Sequence, residues 1–177
     1  PADAHVWNLA GKTIYPGLID AFGEQAAPED AGRAGAPHWN PQVAAQVRMA
    51  DHYRADAGVN EKLRRQGIGA RLVAPSAGII KGLSVLVATG DDDNSHSLLQ
   101  SPVAQHLRLT LSRGNRTQFP NSPMGAVALA RQTLYDAQWY RDAWQAYRSQ
   151  PTLSPPELND ALDALRGAIT GDQLIIA

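Results

Sequence analysis

A chain of 177 residues can bury one core, and 44% hydrophobic with 19% charged residues describes a soluble globular protein, not a disordered or fibrous one. Its formal charge of −1 gives no field for steering phosphates, which argues against nucleic acid, and no apolar run approaches the roughly 20 residues that span a bilayer. Cysteine is absent, which excludes disulfides, thiolate zinc sites and thiol catalysis but leaves the compartment open between cytoplasm and periplasm.

In chain order, His5 to Leu9 and Lys12 to Ile19 read as two short strands around a Gly11-Lys12 turn, with Pro16-Gly17 marking a bend. Residues 26–37 mix Pro, Gly and Ala without periodicity and predict a loop. Asn40-Pro41 has the form of an N-cap followed by proline at the first helical position, so a helix is expected from there to about Arg54. A second helix is expected over Asn60 to Gln66, stopped by Gly67.

Ala70 to Ala74 and Ser84 to Ala88 predict buried strands, linked by a hairpin-like excursion from Pro75 to Gly82. Residues 90–97 predict a polar loop. The strongest helix signal is Asn121-Ser122-Pro123, a cap and a first-turn proline, with helical character to about Ser149. Met124, Val127, Ala128, Leu134, Ala137, Trp144 and Tyr147 are its expected apolar contacts. Ser154-Pro155-Pro156-Glu157 reads as a capping box opening a last helix, with Leu158, Leu162, Leu165 and Ile169 as its buried stripe, before a strand over Gln173 to Ala177. Strands alternating with helices predict an α/β fold with parallel strands.

Residues 11–25, Gly-Lys-Thr-Ile-Tyr-Pro-Gly-Leu-Ile-Asp-Ala-Phe-Gly-Glu-Gln, resemble the phrase that closes the first barrel strand in the amidohydrolase superfamily. The stretches Leu63 to Ile68, Leu72 to Ser84, Phe119 to Ala126 and Arg131 to Tyr140, with Trp39-Asn40-Pro41, are similar to its imidazolonepropionase-like branch. The resemblance implies a partial (β/α)₈ TIM barrel of amidohydrolase type over residues 11–177, preceded by the tail of a small β-sandwich over residues 1–10. A complete barrel takes about 250 residues, and the chain opens at Pro1 without methionine, so it is expected to be the N-terminal part of something larger.

The implied activity is hydrolysis of an amide or cyclic amide by metal-activated water acting on a small-molecule substrate. That family binds its metal through a His-x-His pair at the end of the first strand; the matching positions here are Phe22 and Glu24. No metal ligand is therefore assigned in this segment, and a divalent metal such as zinc is expected only if later strands supply the ligands. The alternative is a non-catalytic amidohydrolase-like scaffold that partners the remainder of the barrel or a second domain, with homo-oligomerisation left open.

Glu24, at a strand end, is the first pocket candidate, or else an exposed loop acid. Asp20 is a second, with anchoring of the strand end as its other reading. His38, beside Trp39, is the third; the five histidines form no His-x-His or His-x₃-His pair. Asp91-Asp92-Asp93-Asn94 lacks the Gly and Glu of a calcium loop, and Asn115-Arg116-Thr117 matches a glycosylation acceptor. Tyr135, Trp139, Tyr140, Trp144 and Tyr147 crowd one helix; packing explains them, and an exposed Trp there would suggest a partner surface.

Overall fold

Two small sheets carry the strands. The computed structural model describes residues 6–90, 97–111, 118–150 and 152–177. Strands β1 (Leu18–Gln25), β2 (Ile68–Pro75), β4 (Val85–Ala88) and β5 (Leu98–Gln100) form one sheet in the order β1-β2-β4-β5. Strands β3 (Ile80–Leu83), β6 (Ala104–Leu107) and β7 (Leu174–Ile176) form the other, in the order β3-β6-β7. Pairs β1/β2 and β6/β7 are parallel, whereas β2/β4, β4/β5 and β3/β6 are antiparallel. The α/β class holds, and the expected parallel pairing holds for β1/β2 and β6/β7 only. The return from β2 to β4 is too short for a parallel crossover, so that pair must run antiparallel. No closed barrel is formed among the described residues.

The strand expected over His5 to Leu9 and most of the one expected over Lys12 to Ile19 are replaced by irregular chain over residues 6–17; Leu18 and Ile19 open β1, and His5 lies outside the described residues. Val6, Ile14 and Tyr15 are largely open to solvent, with no neighbouring strand among the described residues to cover them. No strand runs through residues 6–10. Residues 91–96 of the expected polar loop, with Asp91-Asp92-Asp93-Asn94, and the acceptor match Asn115-Arg116-Thr117 also lie outside the described residues.

Helix α1 (Met49–His52) is a single turn where a longer helix from Asn40 was expected. The reason is legible in the burial pattern: Val43, Ala45, Val47 and Met49 are buried and their neighbours are not. Alternation of period two belongs to extended chain. Residues 43–48 run along β3 through bridges Val43 to Ile80 and Arg48 to Leu83. Ala44 N–H donates to the Ile80 carbonyl and Leu83 N–H to the Val47 carbonyl, both at 2.8 Å. Asn40 serves this path as a turn, its Oδ1 accepting from Gln42 N–H at 2.9 Å. The crossing is tight at Gly82, whose φ is +117° and whose missing Cβ would fall 2.3 Å from the Val47 carbonyl oxygen.

Helix α2 (Ala57–Arg65) starts three residues before its expected N-terminus because Asp56 caps it, accepting from Val59 N–H at 2.9 Å. Gly67, with φ +81°, ends the connection to β2. Helix α3 (Pro123–Ser149) has the expected bounds, with Ser122 Oγ accepting from Gly125 N–H at 3.1 Å. Its buried stripe is Ala126, Leu129, Ala130, Thr133, Ala137 and Tyr140. That spacing places Met124 and Val127, expected as apolar contacts, on the solvent side.

Helix α4 (Asp160–Ala164) begins after the expected capping box, since Asn159 caps it instead, its Oδ1 accepting from Leu162 N–H at 3.0 Å. Leu158 thus falls outside the helix and is exposed, while Leu162 and Leu165 join α3 in the core. A short helix α5 (Arg166–Thr170), closed by left-handed Gly171, leads to β7. The larger core joins Val43, Ala45, Ile79 and Ile80 to α3 and α4; a smaller one holds Met49, Tyr53, Val73, Val85 and Val87. No helix among the described residues is long and apolar enough to cross a membrane.

Candidate functional site

The end of β1 meets the second sheet through charge. Residues two apart on a strand share a face, which groups Phe22 with Glu24; the register irregularity between Asp20 and Gly23 leaves Asp20 out of that set, on the side where Arg71 lies. Glu24 is three-quarters covered, and its carboxylate receives two cations. Lys81, in β3 and only 1% exposed, donates from Nζ to Oε1. Arg108, just past β6, donates from Nη2 to both oxygens at 2.6 and 2.8 Å. Arg108 is itself fixed by its backbone N–H, which donates to the Ile79 carbonyl at 2.8 Å.

Phe22 closes the cluster from outside. Its ring centroid lies 5.5 Å from Lys81 Nζ and 6.3 Å from the centroid of His106. The ammonium thus has a carboxylate on one side and an aromatic face within cation–π range on another. Burial pushes the Glu24 pKa up, but the hydrogen bonds and charges of Lys81 and Arg108 outweigh it and hold the group below its ordinary 4.5.

His106 of β6 is fully buried, and neither ring nitrogen has a hydrogen-bond partner among the described residues. Burial lowers its pKa below the ordinary 6.5, the Lys81 charge acts the same way, and Glu24 opposes them. The unfolded chain therefore takes this proton at a higher pH than the folded one. The neutral ring contributes its full stability above pH 6.5, and that contribution is lost as pH falls through the lower folded value. Urea midpoints are expected to decline below pH 6.5 and to decline less steeply in His106→Phe; equal slopes would contradict this assignment. His38, also lowered by burial, adds to the wild-type slope and remains in the variant. The Glu24 contribution disappears only further down, as pH drops below 4.5 through its depressed value.

Of the residues selected from sequence, Glu24 lies in the cluster. Asp20 lies outside it, beyond the irregularity in β1, where Oδ1 accepts from Phe22 N–H at 3.2 Å and Oδ2 pairs with Arg71 Nε at 3.1 Å. His38 makes its contacts elsewhere: Nδ1 accepts from Asn40 N–H at 3.1 Å and the ring lies 5.3 Å from Trp39. Sequence reasoning missed Lys81, His106 and Arg108. For Lys81 a signal existed, a charge inside the apolar run Ile79-Ile80-Lys81-Gly82-Leu83, where a lysine is retained only with a partner.

These residues do not fit the divalent metal that the resemblance implies. Phe22 has no lone pair, both Glu24 oxygens already accept from cations, and the Lys81 ammonium repels a dication at that spot. No group of three or more His, Asp or Glu side chains placed to hold a metal occurs among the described residues.

No protein-family model and no curated protein matches the chain. Among solved structures, an amidohydrolase from Thermotoga maritima MSB8 superposes with a TM-score of 0.68 at 14% sequence identity. The match covers 94% of this chain and 45% of that one, so the chain spans less than half the length of that protein. At this identity the likeness concerns the fold: the two sheets and their helices are arranged as in part of an amidohydrolase.

Proposed function

We propose that the chain forms the N-terminal part of an amidohydrolase-like barrel, of the imidazolonepropionase-like branch, and serves there as a non-catalytic scaffold. The observation that carries this reading is the Lys81–Glu24–Arg108 cluster. An internal ammonium and guanidinium satisfy the carboxylate that stands at the metal position of the resemblance. Hydrolysis by metal-activated water needs an open coordination position and donors around it, and this strand end offers neither.

Open sheet edges support a partner. β1 is terminal in its sheet and exposes Leu18, Ile19 and Phe22; β7 is terminal in the other and exposes Leu174 and Ile175. Apolar edge strands are normally paired or covered, and the remaining strands and helices of a barrel would do both. Trp139 and Tyr135, exposed on α3, extend the surface available to such a partner.

Elemental analysis of the natural-length protein tests the reading. Purified without added metal, and again after incubation with excess zinc and dialysis, it is expected to carry no stoichiometric zinc, iron or manganese. A full equivalent retained per chain would overturn the scaffold role and restore a hydrolase of C–N bonds.

A further inference from the structure

Arg108 is bound on one side only. Its Nη2 carries both bonds to Glu24, while Nε and Nη1 have no hydrogen-bond partner among the described residues. The same residue lines a cavity of about 200 Å³. Gln42, Thr110 and Gln118 are polar residues of its lining, and Leu111 and Phe119 apolar ones. The charge nearby does not balance, since Lys81 and Arg108 face the single carboxylate of Glu24 and leave one positive charge in excess.

We propose that this cavity binds a small monocarboxylate with a short apolar body, its carboxylate seated on the free edge of Arg108. A guanidinium edge presents parallel N–H donors that match the two oxygens of a carboxylate. One surplus positive charge suits a monoanion, whereas a phosphate dianion would leave the cluster negative. Gln42, Thr110 and Gln118 supply neutral hydrogen-bonding groups for the remaining lone pairs, and Leu111 and Phe119 take the hydrocarbon. An apolar cavity of roughly 150 Å³ accepts benzene, so this one has room for a ligand of the size of benzoate. The site asks nothing of a metal and holds whether or not the chain takes part in hydrolysis.

The test is titration calorimetry on the full chain at fixed ionic strength, with benzoate and pentanoate as probes and benzamide, pentanol and inorganic phosphate as controls. The carboxylates are expected to bind and the neutral analogues to bind far more weakly. Arg108→Gln should weaken carboxylate binding roughly ten- to a hundredfold, the range of a charge-assisted hydrogen bond. Because that change also disturbs Glu24, Thr110→Trp supplies the independent arm: it fills the cavity, leaves the ion cluster untouched and should abolish binding. Absence of carboxylate binding, equal binding of benzamide, preference for phosphate, or binding undiminished in either variant would each overturn the proposal.

Discussion

Glu24→Ala is expected to lower the unfolding free energy by about 3 kcal/mol, read as a shift of the urea midpoint at unchanged slope. The cause is the partner left behind more than the bond removed. Lys81 is 1% exposed and would keep an ammonium in a site with no counter-ion. Breaking a buried pair costs about 3–5 kcal/mol; the lower end applies because the Glu24 side chain is 25% exposed and water can reach part of the site. The double variant Glu24→Leu with Lys81→Met removes both charges and should recover most of the loss, since apolar replacement of a buried pair is often neutral. If the single and double variants were equally unstable, packing and not charge would be the contribution of Glu24.

Gly82→Ala should be about as damaging, at roughly 3 kcal/mol, from two additive sources. The left-handed backbone at φ +117° is unfavourable for an L-residue by about 1–2 kcal/mol. The new methyl would also sit 2.3 Å from the Val47 carbonyl oxygen and 3.1 Å from that of Ala44. Overpacking of this kind adds about 1–3 kcal/mol, and here it meets backbone, which cannot swing aside. Gly67→Ala separates the two sources: its φ is +81° but nothing lies within 4 Å of the added carbon. It should lose only the conformational part, about 1–2 kcal/mol. Equal losses at the two positions would remove the close approach of residues 44–47 to β3 from the explanation.

Local chemistry in the sequence located what local chemistry controls. Ser122-Pro123 opens α3 where a cap and a first-turn proline should, and Gly67 ends the approach to β2. Asn40-Pro41 shows the limit of the same logic. The pair satisfies a helix start, yet the residues after it alternate in burial, and the neighbouring β3 offers carbonyls that an extended chain can use. The alternation was present in Val43, Ala45, Val47 and Met49; the cap signal outweighed it.

The candidate site was less legible, because its partners are brought together by tertiary structure. Glu24 was visible as a polar residue at a strand end. Lys81 lies 57 positions away and Arg108 lies 84 away, and no spacing rule links such residues. His106 gives no local signal either: it sits in a short strand, Ala104–Leu107, whose existence depends on β3 and β7 at its sides.

The bonds from Glu24 to Lys81 and Arg108 join β1, in one sheet, to β3 and to the residue just past β6 in the other. This has a consequence for how the chain selects its fold. A one-residue slip of β1 along β2 would turn every side chain of the strand to the opposite face. Hydrophobicity does little to forbid that slip, since Leu18 and Ile19 are both more than 60% exposed. Electrostatics forbids it: in the slipped alignment Glu24 turns away, and two cations are left facing each other, one of them sealed from water. The cluster thus acts as a proofreading contact, rejecting misaligned assemblies that the apolar pattern of the strand would tolerate.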